Sequence, residues 1–299
     1  MKIYDCFQFF DEEMLLDLRL NILNNHVDKF VICEATYTHK GDPKKLNFDI
    51  NKFLKFKDKI EYLVVKDPPP NLLRLDKDDD FGTKAEKLIL NGYKRDNYQR
   101  QKIQDSLVKA DSEDLIIISD LDEIPNLEKI DIKKIKNKII CFKQKMFYYK
   151  FNLLYESIPW FGSRACKKKN FINPQWLRDI KHKIYPFWRL DILLSKKKYH
   201  DIYHVEDGGW HFTNVKNPEE LYKKLLNFAH HFEFEQSGLG IADLRKMIEE
   251  KKVIYDHNAD QRKYKWSGIQ KLKTLDISEM PKYLAENYTK YLDWLDLSD

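Results

Sequence analysis

Asp114-Leu-Ile-Ile-Ile-Ser-Asp-Leu-Asp-Glu-Ile-Pro125 decides how this chain reads. Leu115 to Ile118 is an aliphatic, mostly β-branched run, the composition of a strand covered on both faces. It ends in Asp120, Asp122 and Glu123, and Pro125 has no N–H with which to extend a ladder. A central strand ending in carboxylates concentrates negative charge at the carboxyl edge of a sheet, where open α/β folds bind their ligands. Carboxylates packed this closely repel one another unless a cation holds them, and hard divalent metals prefer oxygen ligands. The stretch therefore predicts a metal-assisted site for a phosphorylated substrate.

Upstream, Lys2 to Phe9 has the composition of a strand. Asp11, Glu12 and Glu13 then suit a helix N-terminus, and Met14, Leu15, Leu18, Ile22 and Leu23 recur at helical spacing, which predicts a helix over 11–24. Lys29 to Ala35 and Ile60 to Val65 read as two further strands, so strand, helix and strand form a βαβ unit with a parallel sheet. The Pro-rich and acidic stretch from Pro68 to Asp80 reads as a surface loop. A mostly helical pattern runs over 84–110, with a break expected at Asn91-Gly92. Arg100 shares a face with Ile103 and Leu107. An arginine on that stripe calls for an anionic partner, either a structural carboxylate or a ligand phosphate.

Downstream, Lys138 to Phe151 reads as one long strand or a hairpin arm. Asn217-Pro-Glu-Glu220 has the cap, proline and acids of a helix start. Further helices are expected near 241–251 and 280–296. The whole reads as α/β, a mixed sheet flanked by helices, with 1–215 as the core and 216–299 as a helical C-terminal extension packed on it.

The composition, 42% hydrophobic and 14% aromatic, supports a sizeable core and argues against disorder. A net charge of +5, with lysines scattered along the chain, indicates a solvated surface and no nucleic-acid stripe. Lys167 to Lys169 and Lys196 to Lys198 read as exposed loops. Cys6, Cys33 and Cys141 sit inside apolar runs, and none of the four cysteines has zinc-site spacing, so they read as reduced, buried side chains. No apolar run approaches the ~20 residues that span a bilayer, and acids interrupt the N-terminus where a signal peptide would need an apolar run. The expectation is a soluble, cytoplasmic protein.

A second cluster, Gly208-Gly209-Trp210-His211, combines glycines that permit close backbone approach, an aromatic face for a sugar or base, and a histidine able to ligate a metal. Its bland reading is a tight turn with a core tryptophan. His230 and His231, beside Glu233, remain ambiguous between core lining and solvent.

Taken together, the motifs and their order resemble glycosyltransferase family 17, the β-1,4-N-acetylglucosaminyltransferase III type. The matching pieces are Tyr4-Asp-Cys-Phe-Gln-Phe-Phe10, Val27-Asp-Lys-Phe-Val-Ile-Cys-Glu34, Asn97-Tyr-Gln-Arg100, Ile118-Ser-Asp-Leu-Asp-Glu-Ile-Pro125, Gly209-Trp-His-Phe212 and Pro281-Lys-Tyr-Leu-Ala-Glu-Asn287. They span nearly the whole chain, although 160–201 matches weakly. The resemblance implies a GT-A-like fold, a UDP-sugar donor such as UDP-N-acetylglucosamine, a Mn²⁺ or Mg²⁺ cofactor, a glycan or other hydroxyl acceptor, and inversion at the anomeric carbon.

On that basis Asp120, Asp122 and His211 are the expected metal ligands. Arg100 is expected on the diphosphate, Glu34 at the base or ribose, and Trp210 against the sugar. Asp207, Glu206 and Glu233 qualify by type as the general base, with Asp207 first. Two rival classes stay open. A metal-dependent phosphohydrolase would release phosphate from simple esters. A non-enzymatic carbohydrate- or nucleic-acid-binding protein would ignore Mn²⁺ or lose affinity steeply with salt.

Overall fold

The computed structural model describes residues 1–228, 231–255 and 270–297. Its elements follow the residue patterns closely in the first half: β1 (Ile3–Phe9), α1 (Glu13–Leu23), β2 (Lys29–Ala35), β3 (Ile60–Val65), α2 (Phe81–Lys102), β4 (Leu115–Asp120) and β5 (Glu123–Pro125). β6 (Ile139–Phe142), β7 (Gln144–Tyr148), β8 (Leu153–Trp160), β9 (Arg164–Lys167), α3 (Pro174–Asp179), β10 (Ile202–Val205) and β11 (Gly209–Thr213) come next. α4 (Pro218–Leu225), α5 (His231–Ser237), α6 (Ile241–Glu249), β12 (Lys273–Thr274) and α7 (Lys282–Glu286) close the chain.

The strands form two mixed sheets. The larger has the order β10-β6-β9-β4-β1-β2-β3, with β4, β1, β2 and β3 parallel and β9 antiparallel to both β4 and β6. The smaller has the order β12-β8-β7-β11-β5. The α/β class expected from the sequence is what the chain adopts.

Strand periodicity explains why β4 sits in the middle. Leu115 and Ile117 point into one core with Leu15, Leu18 and Phe30, while Ile116 and Ile118 point into a second with Ile103, Leu107 and Leu177. Both faces are covered, so the run has no polar alternation until the sheet ends.

Three expectations are corrected. No break occurs at Asn91-Gly92: α2 is continuous there, because the Asn91 side chain is buried and exchanges hydrogen bonds with the backbone of Leu73 (2.7 and 2.8 Å). The irregularity comes later, where α2 tightens into a 3-10 turn over Ile103–Leu107. The segment from Lys138 to Phe151 is not one long strand: it divides at Lys143 into β6 and β7, and β7 is one arm of an antiparallel hairpin with β8. Lys143 takes part in backbone hydrogen bonds with Val205 and Gly208, and on either side of it β6 and β7 belong to different sheets.

The C-terminal segment is not wholly helical, since β12 pairs with β8. The Asn217 cap forms as expected, accepting from the Glu220 N–H at 2.8 Å. Leu284, Tyr291 and Leu295 join the same hydrophobic core as Phe7 and Phe30. All four cysteines are free and buried. Burial pushes the Cys33 and Cys166 thiols up to about 12 and Cys141 up to about 11, so they stay protonated and inert. Among the described residues no helix is long and apolar enough to cross a membrane.

Candidate active site

β4 delivers Asp120 to the carboxyl edge of the larger sheet, and a two-residue turn carries Asp122 before β5 joins the smaller sheet. The turn is shaped from behind by Arg19, a fully buried residue of α1. Its Nε and Nη2 donate to Asp5 at 2.8 and 2.6 Å. Its Nη1 donates to the backbone carbonyls of Asp120, Leu121 and Glu123 at 3.1, 3.0 and 2.8 Å. The helical stripe in the sequence marks α1 as core-facing, but nothing local identifies Arg19 as a buried mould for a turn a hundred residues away.

The turn opens on a cleft of about 280 Å³. Asp120, Asp122, Arg100 and Asp96 line it together with Glu12 and Lys224. The three acids at the end of β4, Asp120, Asp122 and Glu123, have separate fates here. Asp120 is held by two arginines, accepting from Arg100 at 3.2 Å and from Arg178 at 2.8 Å. Burial pushes its carboxyl up, but Arg178 and Arg100 outweigh burial and hold it well below the usual carboxylate range. Glu123 is fully buried and structural. It accepts from Arg178 at 2.7 Å, from the Trp160 indole N–H at 2.8 Å and from the Asp120 N–H at 2.8 Å.

Asp122 faces His211, with 3.6 Å between carboxylate oxygen and Nε2. Burial raises its carboxyl, and His211 followed by Lys224 brings it to a net lowered value. Three carboxylates (Asp96, Asp120 and Glu123) thus share two guanidiniums, Asp122 faces His211 instead, and Lys224 pairs with Glu12 at 3.5 Å. The strand end keeps an acidic surplus, concentrated at Asp122.

β11 supplies His211 by pairing antiparallel to β5, with His211 opposite Glu123. The glycines before it serve this pairing. Gly209 has φ +126°, and a Cβ there would lie 2.1 Å from the Ile124 carbonyl oxygen; at Gly208 it would lie 2.7 Å from that of Val205. The close approach foreseen for a ligand is therefore made to the protein's own backbone. Strand alternation sends His211 and Trp210 to opposite faces. Trp210 packs on the hydrophobic core, and Trp160 instead stacks on His211 (centroids 4.6 Å apart, planes at 22°).

The remaining expected site residues lie elsewhere. Glu34 is fully buried and away from the cleft lining, its oxygens taken by Lys44, the N–H groups of Asn47 and Phe48, and the Tyr62 hydroxyl. That cage fixes the 44–48 loop, and no lone pair is turned toward a nucleotide. Glu206 and Asp207 sit exposed at the β10–β11 turn, outside the cleft. Glu206 pairs with Lys143 at 2.7 Å, and Asp207 takes the left-handed φ of +48° that aspartate tolerates in turns. Glu233 is half-buried on α5, outside the cleft lining. Burial first and then Glu233 and Asp96 raise the Tyr93 hydroxyl; Tyr255, raised mainly by burial, senses Lys224, Asp122 and Glu233 together. His231 is buried on α5, and His230 lies outside the described residues.

Arg100 satisfies both readings of its stripe in part: a bidentate pair with Asp96 (3.1 and 3.0 Å) and a place on the cleft wall. Arg178 and Trp160 come from the weakly patterned 160–201 segment, where neither carried a periodic signal. Lys224, on α4, was not singled out in the sequence.

The donor chemistry at Asp122 and His211, one carboxylate and one imidazole, fits Mn²⁺ or Mg²⁺. The buried Nδ1 of His211 lacks a hydrogen-bond partner, so the ring's polar contact is made by Nε2, toward Asp122. Among the described residues no three histidine, cysteine or carboxylate side chains converge as a ready-made metal cage. Mg²⁺-type sites seldom need one, because one or two protein carboxylates suffice where substrate phosphates complete the shell.

Among solved structures, the chain is similar to 4-diphosphocytidyl-2C-methyl-D-erythritol synthase from Anaerococcus prevotii, at 10% identity and TM-score 0.33, over 78% of this chain and 98% of that one. It is also similar to HddC from Yersinia pseudotuberculosis, at 10% identity and TM-score 0.31, over 70% and 90% of the two chains. HddC in complex with GMP-PN gives 12% identity and TM-score 0.30, over 78% and 100%. No curated protein sequence matches. The sequence model of glycosyltransferase family 17 matches residues 1–295, so the chain belongs to that family and is a glycosyltransferase.

Proposed function

We propose that the cleft binds UDP-N-acetylglucosamine with Mn²⁺ or Mg²⁺ and transfers the sugar, with inversion, to a hydroxyl of a glycan acceptor. The observation that carries this reading is Asp122 facing His211 at 3.6 Å on the wall of an acidic cleft that also presents Arg100 and Lys224. Asp122 and His211 would hold the metal, with Asp120 beside them oriented by its two arginines. A divalent cation there supplies Lewis-acid stabilisation of the departing diphosphate. Arg100 and Lys224 add fixed positive groups to the same wall, where developing phosphate charge is best met in advance. Trp160, stacked on His211, fixes the ring plane of the imidazole and shields it from water.

Inverting transfer also needs a base for the acceptor hydroxyl. Of the three carboxylates expected for that role Glu233 is assigned here, because Tyr255 senses it together with Asp122 and Lys224 of the cleft wall, whereas Glu206 and Asp207 are exposed at a turn. A positioned base contributes roughly 10²–10⁴-fold to turnover, so Glu233→Gln should lower kcat by that factor while leaving donor binding intact.

The test is a thermal-shift matrix of UDP, UDP-N-acetylglucosamine and GDP-mannose, each with and without Mn²⁺, on the parent and Asp122→Asn. Selective ligands raise the melting temperature by mass action. The reading requires a shift that needs uridine nucleotide and Mn²⁺ together and disappears in the variant. A metal-independent shift retained by Asp122→Asn would sink it, and phosphate release from simple esters would favour a phosphohydrolase.

A further inference from the structure

Between α3 and β10 the chain leaves the body of the fold as an apolar prong. Ile184, Phe187, Trp188, Leu190, Leu193 and Leu194 are 66–90% exposed. Soluble surfaces scatter large apolar side chains singly, and a contiguous set marks an interaction surface. The prong is built and held. Ile192 is buried beneath a 3-10 turn over Leu190–Leu194. At the base, the Lys181 N–H donates to the Lys197 carbonyl at 2.7 Å, and the Trp176 indole N–H to that of Lys196 at 2.8 Å. At the tip, the Phe187 and Trp188 rings meet edge to face, 5.1 Å apart.

Lysines flank the tip on both sides in the chain, as a basic collar: Lys181 and Lys183 on the way out and Lys196 and Lys197 on the way back are exposed, and Lys198 is half-buried. Lys197 pairs with Asp179 at 2.6 Å, and Asp191, the acid of the prong itself, is taken by Arg189 at 2.6 Å. Among the described residues no carboxylate lies within salt-bridge distance of Lys183 or Lys196.

We propose that the 184–194 prong docks the protein reversibly on an anionic lipid surface. The apolar tip suits the boundary between headgroups and acyl chains, and the lysine collar suits the phosphates above it. Charge decides against a second copy of the chain, because a two-fold contact through the tip would bring the collar against itself. The prong begins six residues after Arg178, which touches Asp120, so its first residue lies within about 20 Å of that arginine's backbone even in a fully extended connection.

The experiment is co-sedimentation of the full chain with vesicles of phosphatidylcholine alone and with about a third phosphatidylserine. The parent should sediment with the anionic vesicles and lose that binding in high salt. Removing lysine charges weakens binding roughly fivefold each, so Lys183→Glu with Lys196→Glu should lower the partition more than tenfold, on anionic vesicles only. Trp188→Ser with Leu194→Ser should lower it by at least tenfold, with an unchanged melting temperature because both side chains are exposed. Three results overturn the proposal: no sedimentation of the parent, binding that both double variants retain, or a lipid-free dimer that Trp188→Ser with Leu194→Ser dissolves, which would make the tip a self-contact.

Discussion

Replacing Arg19 with methionine tests what shapes the strand end. Methionine fills much of the volume but donates no hydrogen bond. It leaves Asp5, fully buried, without its cation, and it strips a donor from the carbonyls of Asp120, Leu121 and Glu123. Removing one partner of a buried ion pair costs about 3–5 kcal/mol, and a carbonyl deprived of its donor adds on the order of 1 kcal/mol, so about 4–6 kcal/mol is expected in all. At ~2.1 cal/mol/K of unfolding entropy per residue, a chain of 299 residues should then melt about 6–10 °C lower. Asp5→Leu added to Arg19→Met removes the stranded charge and should recover about half of that loss. It returns no donor to the turn, so the Mn²⁺-dependent nucleotide shift should stay absent in the double variant. Thermal melts with and without Mn²⁺ and UDP read both effects. A single variant that melts within about 1 °C of the parent and keeps the metal-dependent shift would refute the reasoning, as would a double variant that regains both.

Arg178→Gln leaves the Glu123 carboxylate buried without its cation and should cost about 3 kcal/mol, seen as a lower denaturation midpoint at unchanged m-value. Arg178→Lys should restore only part of it, because one ammonium cannot reach Asp120 and Glu123 with the same fork. The lowered carboxyls of Asp120 and Asp122 set the acid limb of stability. Both are held below their unfolded value of about 3.9, so their contribution is complete above that pH and is lost as pH falls through the folded values. The melting temperature should therefore fall on acidification below about pH 4, and less steeply in Arg178→Gln, where Asp120 returns toward its ordinary range. Gly209→Ala should cost about 3 kcal/mol or more, since its Cβ would collide with the Ile124 carbonyl; at Gly238, where φ is +71° and nothing lies within 4 Å, the same change should cost only about 1 kcal/mol in a melting assay.

What could be read before any coordinates divides along physical lines. β2 and β3 match the expected runs to the residue: β2 is buried on both faces and writes this in its apolar run, while the half-buried edge strand β3 is marked by its β-branched and aromatic residues. The sheet edge of the site was legible for the same reason, through an abrupt change from Ile118 to the acids. Partners supplied by distant segments were not legible. Arg19, Arg178 and Trp160 act across 101, 58 and 37 positions of chain, and no local period or spacing encodes such a contact. Polar residues in turns misled in the opposite direction. Asp207 and Glu206 look chemical beside two glycines, yet turn geometry alone accounts for them. Glu34 ends a strand at the carboxyl edge as Asp120 does, but the loop after β2 folds back and consumes its oxygens.

The contrast between Asp120 and Asp122 follows from the pleat and from the ion pairs. Two positions apart on an extended chain, they would face the same way. The turn held by Arg19 breaks that alternation and separates them. Asp120 then meets both Arg100 and Arg178, two guanidiniums that it shares with Asp96 and Glu123. Asp122 meets an imidazole and a lysine already engaged with Glu12, and its charge stays incompletely met. Repulsion within the acid cluster is thus relieved at one end by the protein itself and left for a ligand at the other. On the proposed reading, Asp122→Asn should abolish metal-dependent nucleotide binding, whereas Asp120→Asn should weaken it while freeing both guanidiniums. Equal metal affinities for the two variants in a calorimetric titration would show that this division of roles is wrong.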